Sequence, residues 1–160
     1  MALRIIPPKP HAFVTTWLVG FTILIWLLQI VSGVDLWNPT PQHMLNWGAN
    51  FAPITLGMRE YDRLLINVFL HVGLIHLVVN MVSLLSLGYY AERYFGRLSF
   101  LTLYLLTGLC GSLSSATLSM LAASHSGISA SGLAPAPAVS AGASGAIMGI
   151  AGALLWVAWR

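Results

Sequence analysis

Three stretches of this chain run without Lys, Arg, Asp or Glu: Pro10 to Val34 (25 residues), Leu64 to Ala91 (28) and Leu98 to Trp159 (62). A helix crosses the hydrocarbon core of a bilayer with about 20 apolar residues. The first two stretches therefore hold one crossing each, and the third holds two. The third breaks between Ser124 and Ala141, where Ser, Gly and Ala accompany Pro135 and Pro137, a composition that suits a loop better than a lipid-facing helix. The pattern predicts spans at about 12–32, 66–90, 99–122 and 142–159. The expected fold class is all-α, a polytopic transmembrane helical bundle with four spans present. A segment over 1–11 precedes a membrane domain over 12–160.

Composition supports that class. Apolar residues make up 58% of the chain and charged ones 7%, whereas a soluble domain carries roughly a quarter charged residues. A water-soluble fold and intrinsic disorder are excluded. The net charge of +3 is spread without a dense basic cluster, which argues against nucleic-acid binding. The single cysteine, Cys110, has no intrachain partner and is expected to pack as a small hydrophobe.

Basic residues set the expected orientation. Arg4 and Lys9 precede the first span, Arg93 and Arg97 lie between the second and third, and Arg160 ends the chain. The opposite side carries Arg59 and Arg63, and the 124–141 loop carries none. The positive-inside rule then puts both termini in the cytoplasm, with a cell (plasma) membrane as the expected location. The apolar run after Pro10 is too long for a signal-peptide core and has no clear A-x-A site. The loop over 33–63 holds Trp37, Met44, Leu45, Trp47, Phe51, Ile54 and Leu56, so it is expected to lie in or dip below the outer interface.

Polar residues inside the second span mark a candidate site, because an unpaired polar group in hydrocarbon is costly. His76, Asn80 and Ser83 follow i, i+4, i+7 and share one helical face. His71, five residues before His76, is placed by helical geometry on another face, and for His71 and Ser83 simple hydrogen bonding to neighbouring helices is the favoured role. The expected divergence of the two histidines, with no H-E-x-x-H and no cysteine pair, argues against a metal site.

The fourth span opens with Gly142-Ala143-Ser144-Gly145-Ala146. Ser144 falls at the start of a helix, where free N–H groups and the positive end of the dipole would meet an oxyanion forming beside it. Gly142, Gly145, Gly149 and Gly152 form an expected packing stripe, with Ser144 on the opposite side facing a cavity. Both a packing and a catalytic role are open on these residues alone. In the third span, Gly108, Gly111, Ser112, Ser115 and Ser119 are expected to make close helix contacts, with no catalytic role.

These strings resemble the rhomboid intramembrane serine proteases. The match runs from Trp47-Gly48-Ala49-Asn50 through Arg63-Leu64 and Phe69-Leu70-His71-x4-His76-Leu77-x2-Asn80-Met81. It continues through Gly88, Glu92, Gly96, Tyr104, Gly108 and Gly111 to Gly142-Ala143-Ser144-Gly145-Ala146-Ile147-x-Gly149-x-x-Gly152-Ala153. The resemblance implies Ser144 as nucleophile, His76 and Asn80 as oxyanion-stabilising side chains with the Ser144 backbone, and Arg63 as the arginine of a Trp-Arg pair in the membrane-dipping loop. It also implies no cofactor, a bilayer-embedded protein, and transmembrane segments of other proteins as substrates. Two departures stand out. Asp62 replaces the tryptophan before Arg63, and the family's general-base histidine, on a sixth span, has no counterpart in these 160 residues. The expected chain is thus an N-terminal portion of a rhomboid, inactive by itself. Two other readings remain open: a catalytically inactive rhomboid-like protein that binds membrane-protein clients, and a small transporter or channel subunit. The spans contain no Asp, Glu, Lys or Arg for the latter.

Overall fold

The computed structural model describes residues 12–125 and 138–160. Among the described residues there are six α-helices: α1 (Phe13–Val31), α2 (Pro41–Asn46), α3 (Arg63–Ile66), α4 (Leu74–Phe95), α5 (Arg97–His125) and α6 (Ser144–Trp159). A π-helical turn at Pro53–Gly57 and a 3₁₀ turn at Asn67–Phe69 complete the first loop, and no strand occurs among the described residues. Helices α1, α4 and α5 are long and apolar enough to cross a membrane, whereas α6 has 16 residues. The chain is an all-α integral membrane protein. The N-terminal segment with Arg4 and Lys9, and most of the 124–141 loop, lie outside the described residues.

The bundle buries polar groups and exposes apolar ones. The inner face of α1 carries Thr15, Leu18, Val19, Thr22, Trp26 and Gln29, while Trp17 and Leu24 are exposed. Lipid is as apolar as a core, so helices in it associate through small and polar residues, and large apolar side chains meet the acyl chains. Cys110 corrects the expectation made for it. It is exposed on α5.

The start of α1 has no cap of its own: Ala12 occupies the N-cap position. Glu92, near the end of α4 and 4% exposed, takes that role from 77 residues away. Its carboxylate accepts hydrogen bonds from the Val14 N–H (3.0 Å), the Thr15 N–H (2.8 Å) and the Thr15 hydroxyl (2.8 Å). A carboxylate at a helix N-terminus satisfies orphan donors and complements the dipole. Glu92→Ala strands those donors, and each unsatisfied buried group costs about 1–3 kcal/mol. Chemical unfolding in detergent should show a loss of that order, and an unchanged midpoint would remove the capping account.

The second span begins later than the charge-free window implies. Residues 66–73 are not part of the spanning helix; α4 starts at Leu74. Gly73 has φ 85°, and a Cβ there would sit 2.4 Å from the Trp37 carbonyl oxygen. The Leu74 N–H donates to the Leu36 carbonyl at 2.9 Å. The first loop thus crosses over the start of α4 and breaks it there. The loop itself is ordered. Asp35 Oδ1 accepts the Asn38 and Trp37 amides, and these bonds hold its carboxyl below the usual carboxylate range. Met44 and Ala49 are buried with Leu70 in a small apolar cluster of their own.

Candidate active site

Ser144 is the first residue of α6 and is exposed, and the turn before it is held from several sides. Asn50 and Ser140 form an isolated antiparallel bridge, with backbone N–H to carbonyl distances of 3.0 and 2.8 Å. The Ser115 hydroxyl donates to Ser140 Oγ at 3.1 Å. The Gly142 N–H donates to the Asn67 carbonyl at 2.8 Å, and the Ala143 N–H donates to His71 Nε2 at 3.5 Å. Gly142 has φ 132°, and a Cβ there would approach His76 Cε1 to 2.6 Å. Only glycine lets the turn adopt this backbone and lie against the imidazole.

Within α6 the first i−4 hydrogen bond runs from the Ile147 N–H to the Ala143 carbonyl at 3.0 Å. The N–H groups of Ser144, Gly145 and Ala146 come before it and have no acceptor inside the helix. Ser144 also lines a cavity of about 120 Å³ together with Asn67, Ser112, Ser115, Ser140 and Gly145. That volume, large against roughly 30 Å³ of liquid per water, suits several water molecules.

Of the sequence-selected residues, the structure brings His76 against the turn that carries Ser144. Asn80 lies one turn further along α4, buried, with its Nδ2 donating to the His76 carbonyl at 2.9 Å. Arg63 ties the first loop together: Nη1 donates to the carbonyls of Leu45 (2.8 Å) and Ala49 (3.2 Å), and Nε pairs with Glu60 at 2.7 Å. Among the described residues no imidazole is hydrogen-bonded to the Ser144 hydroxyl; His11 and the His125 side chain lie outside them.

Three expectations are corrected. His71 and His76 do not diverge: their ring centroids are 5.3 Å apart, because the bend at Gly73 takes His71 off the helix whose geometry was used to separate them. Among the described residues no third His, Cys, Asp or Glu joins them as a metal-holding group. The glycine stripe shortens, since Gly142 precedes the helix and a Cβ on Gly152 would meet nothing within 4 Å. Gly145 and Gly149 remain, set against Gly111 and Thr107 of α5. Ser144 is not opposite them, for it shares its cavity with Gly145, Gly111 and Gly108.

Sequence reasoning missed Asn50, Asn67 and Ser140. Their site roles rest on contacts with partners 25 to 90 positions away, which no local spacing encodes. His71 was visible in the H-x4-H string, but helical geometry pointed it elsewhere.

The Rhomboid domain profile matches residues 58–160. The chain is 35% identical over 136 residues to the rhomboid protease GluP of Bacillus subtilis, covering 85% of this chain and 22% of that protein. It is 31% identical over 139 residues to the rhomboid protease AarA of Providencia stuartii, covering 87% of this chain and 48% of that one. A 54-residue stretch, 34% of this chain and 15% of the relative, is 44% identical to the inactive RHOMBOID-like protein 8 of Arabidopsis thaliana. The chain spans less than half the length of each of these relatives. No solved structure gives a significant match. With a domain match over more than half its length and the glycine-serine turn seated on a histidine of α4, the chain belongs to the rhomboid family.

Proposed function

We propose that this chain carries the catalytic serine of a rhomboid-type intramembrane serine endopeptidase that cleaves transmembrane segments of other membrane proteins. The observation that carries the reading is the position of Ser144 at the head of α6, beside unsatisfied N–H groups and the His76 ring. In this mechanism Ser144 Oγ attacks the scissile carbonyl carbon, and the carbonyl electron pair moves onto oxygen. The Ser144 N–H, His76 and Asn80 donate to that oxyanion. The Asn80 amide has two donors, and the one not held by the His76 carbonyl remains for it. Collapse breaks the C–N bond as the leaving nitrogen takes up, by way of the base, the proton that Ser144 lost, and water then hydrolyses the acyl-enzyme. The cavity beside Ser144 supports that last step by providing a polar compartment at the nucleophile. No cofactor enters the scheme, and nucleic acid has no place in it.

The proton leaving Ser144 needs an acceptor. None of the described histidines is hydrogen-bonded to it, and the family resemblance assigns the base to a sixth span. That observation also favours a second reading, an inactive rhomboid-like protein that binds membrane-protein clients. Cleavage of a transmembrane reporter by the full-length gene product in proteoliposomes separates the two. In the protease reading, Asn80→Ala lowers turnover by about 10²–10³, the usual cost of one oxyanion donor. His76→Ala does the same as a donor only, and abolishes turnover if it is the base. Equal activity in wild type and both variants would sink the assignment.

The membrane arrangement proposed with this function has both termini in the cytoplasm, the 33–63 loop at the outer interface, and a plasma-membrane location. Reporter fusions after Arg97 and near Ser131 should report opposite sides. Both on one side would break the four-span topology.

A further inference from the structure

His71 has no part in the mechanism above, yet it is 1% exposed and reaches the backbone one residue before Ser144. A buried imidazole needs partners, and at this site the Nε2 lone pair accepts the Ala143 N–H at 3.5 Å. That bond requires the ring proton to sit on Nδ1, a buried atom with no hydrogen-bond partner of its own among the described residues. Two successive amides are thereby occupied: Gly142 by the Asn67 carbonyl and Ala143 by His71. The next amide in the chain, that of Ser144, is the first one left without an acceptor. A turn that tips by one peptide would shift this boundary and aim the wrong N–H at the scissile carbonyl. The ring is in place to prevent that, because His76 packs beside it at 5.3 Å between ring centroids and also lies against Gly142.

We infer that His71 is a positioning residue for Ser144: its Nε2 holds the Ala143 N–H, fixing the turn so that the Ser144 hydroxyl and N–H face the substrate carbonyl. The inference rests on the protease reading and adds a residue to it. The site predicts a selective response. His71→Leu fills similar space and removes the acceptor, whereas His71→Gln carries an amide oxygen that reaches about as far as Nε2.

The test uses the full-length gene product in detergent, with a transmembrane reporter for kcat and KM and amide hydrogen exchange read at Ala143. His71→Leu should lower kcat by about 10²-fold, the scale of a misplacement near 1 Å, with KM within about twofold. Ala143 exchange should quicken by tenfold or more. His71→Gln should recover most of kcat and keep Ala143 protected. Unchanged Ala143 exchange in His71→Leu would overturn the inference alone. So would equal losses in Leu and Gln that follow their unfolding temperatures, since a space-filling ring predicts that pattern. A Ser144→Ala variant that still cleaves would instead overturn the protease reading on which the inference rests.

Discussion

Ser144→Ala is expected to abolish cleavage of a transmembrane reporter while leaving the unfolding temperature of the protein within a degree or two of wild type. Ser144 is exposed, and among the described residues its hydroxyl makes no hydrogen bond that the fold relies on. Loss of the Oγ therefore removes the nucleophile at almost no structural cost. Removing a serine nucleophile can cost about 10⁶ in turnover, far more than one oxyanion donor at about 10²–10³. The 160-residue chain by itself should not react with a fluorophosphonate probe, because among the described residues no base is hydrogen-bonded to Ser144, and such a serine keeps an ordinary hydroxyl's low nucleophilicity. Labelling of that chain, lost in Ser144→Ala, would make His76 the base, as the imidazole packed against Gly142.

Gly149→Val should destabilise the chain by forcing apart two helices that touch through their backbones. A Cβ at Gly149 would sit 2.3 Å from Thr107 Cβ and 2.6 Å from its Oγ1. Thr107 has little room to move. It is β-branched and stiff, and its hydroxyl donates to the Leu103 carbonyl (2.7 Å) and reaches the Ala146 carbonyl of α6 (3.3 Å). Helices α5 and α6 would have to part, and overpacking costs about 1–3 kcal/mol; this site belongs at the upper end. Gly20→Val is the matched control, since a Cβ there meets nothing within 4 Å and valine is a better helix former than glycine. Equal unfolding midpoints for the two variants would leave the close approach of α5 and α6 without energetic meaning. The two effects are separable: the serine change abolishes activity and spares stability, and the glycine change lowers stability first.

The two sets of interactions meet in the α5–α6 pair. Close contact at Gly111 and Gly145 brings Ser112 and Ser115 near the head of α6, where they line the cavity beside Ser144. The small residues of α5 were expected to serve packing alone. They also place two hydroxyls around Ser144, one bonded to Asn67 and the other to Ser140.

Apolar patterning along the chain is enough to give the all-α membrane class and the bounds of two of its helices. Charge-free apolar runs place α1 and α6 to within one or two residues, since burial in lipid is a property of each segment taken alone. The serine at a helix start was equally legible, because a loop composition followed by a glycine-flanked serine and an apolar run is a local signal. Tertiary structure decided the rest. Helix α4 starts at Leu74 because the Leu36–Trp37 backbone crosses at Gly73, a contact that hydropathy does not record. That same crossing turns His71 back toward Ala143, so two histidines assigned to different faces become neighbours. Glu92 reads in sequence as one of four acidic residues at the edge of a span; only the packing of α4 against α1 makes it a cap. Local periodicity reports which side of a helix prefers lipid, while the hydrogen bonds that shape the site join residues far apart in the chain, and those partners exist only once the bundle has closed.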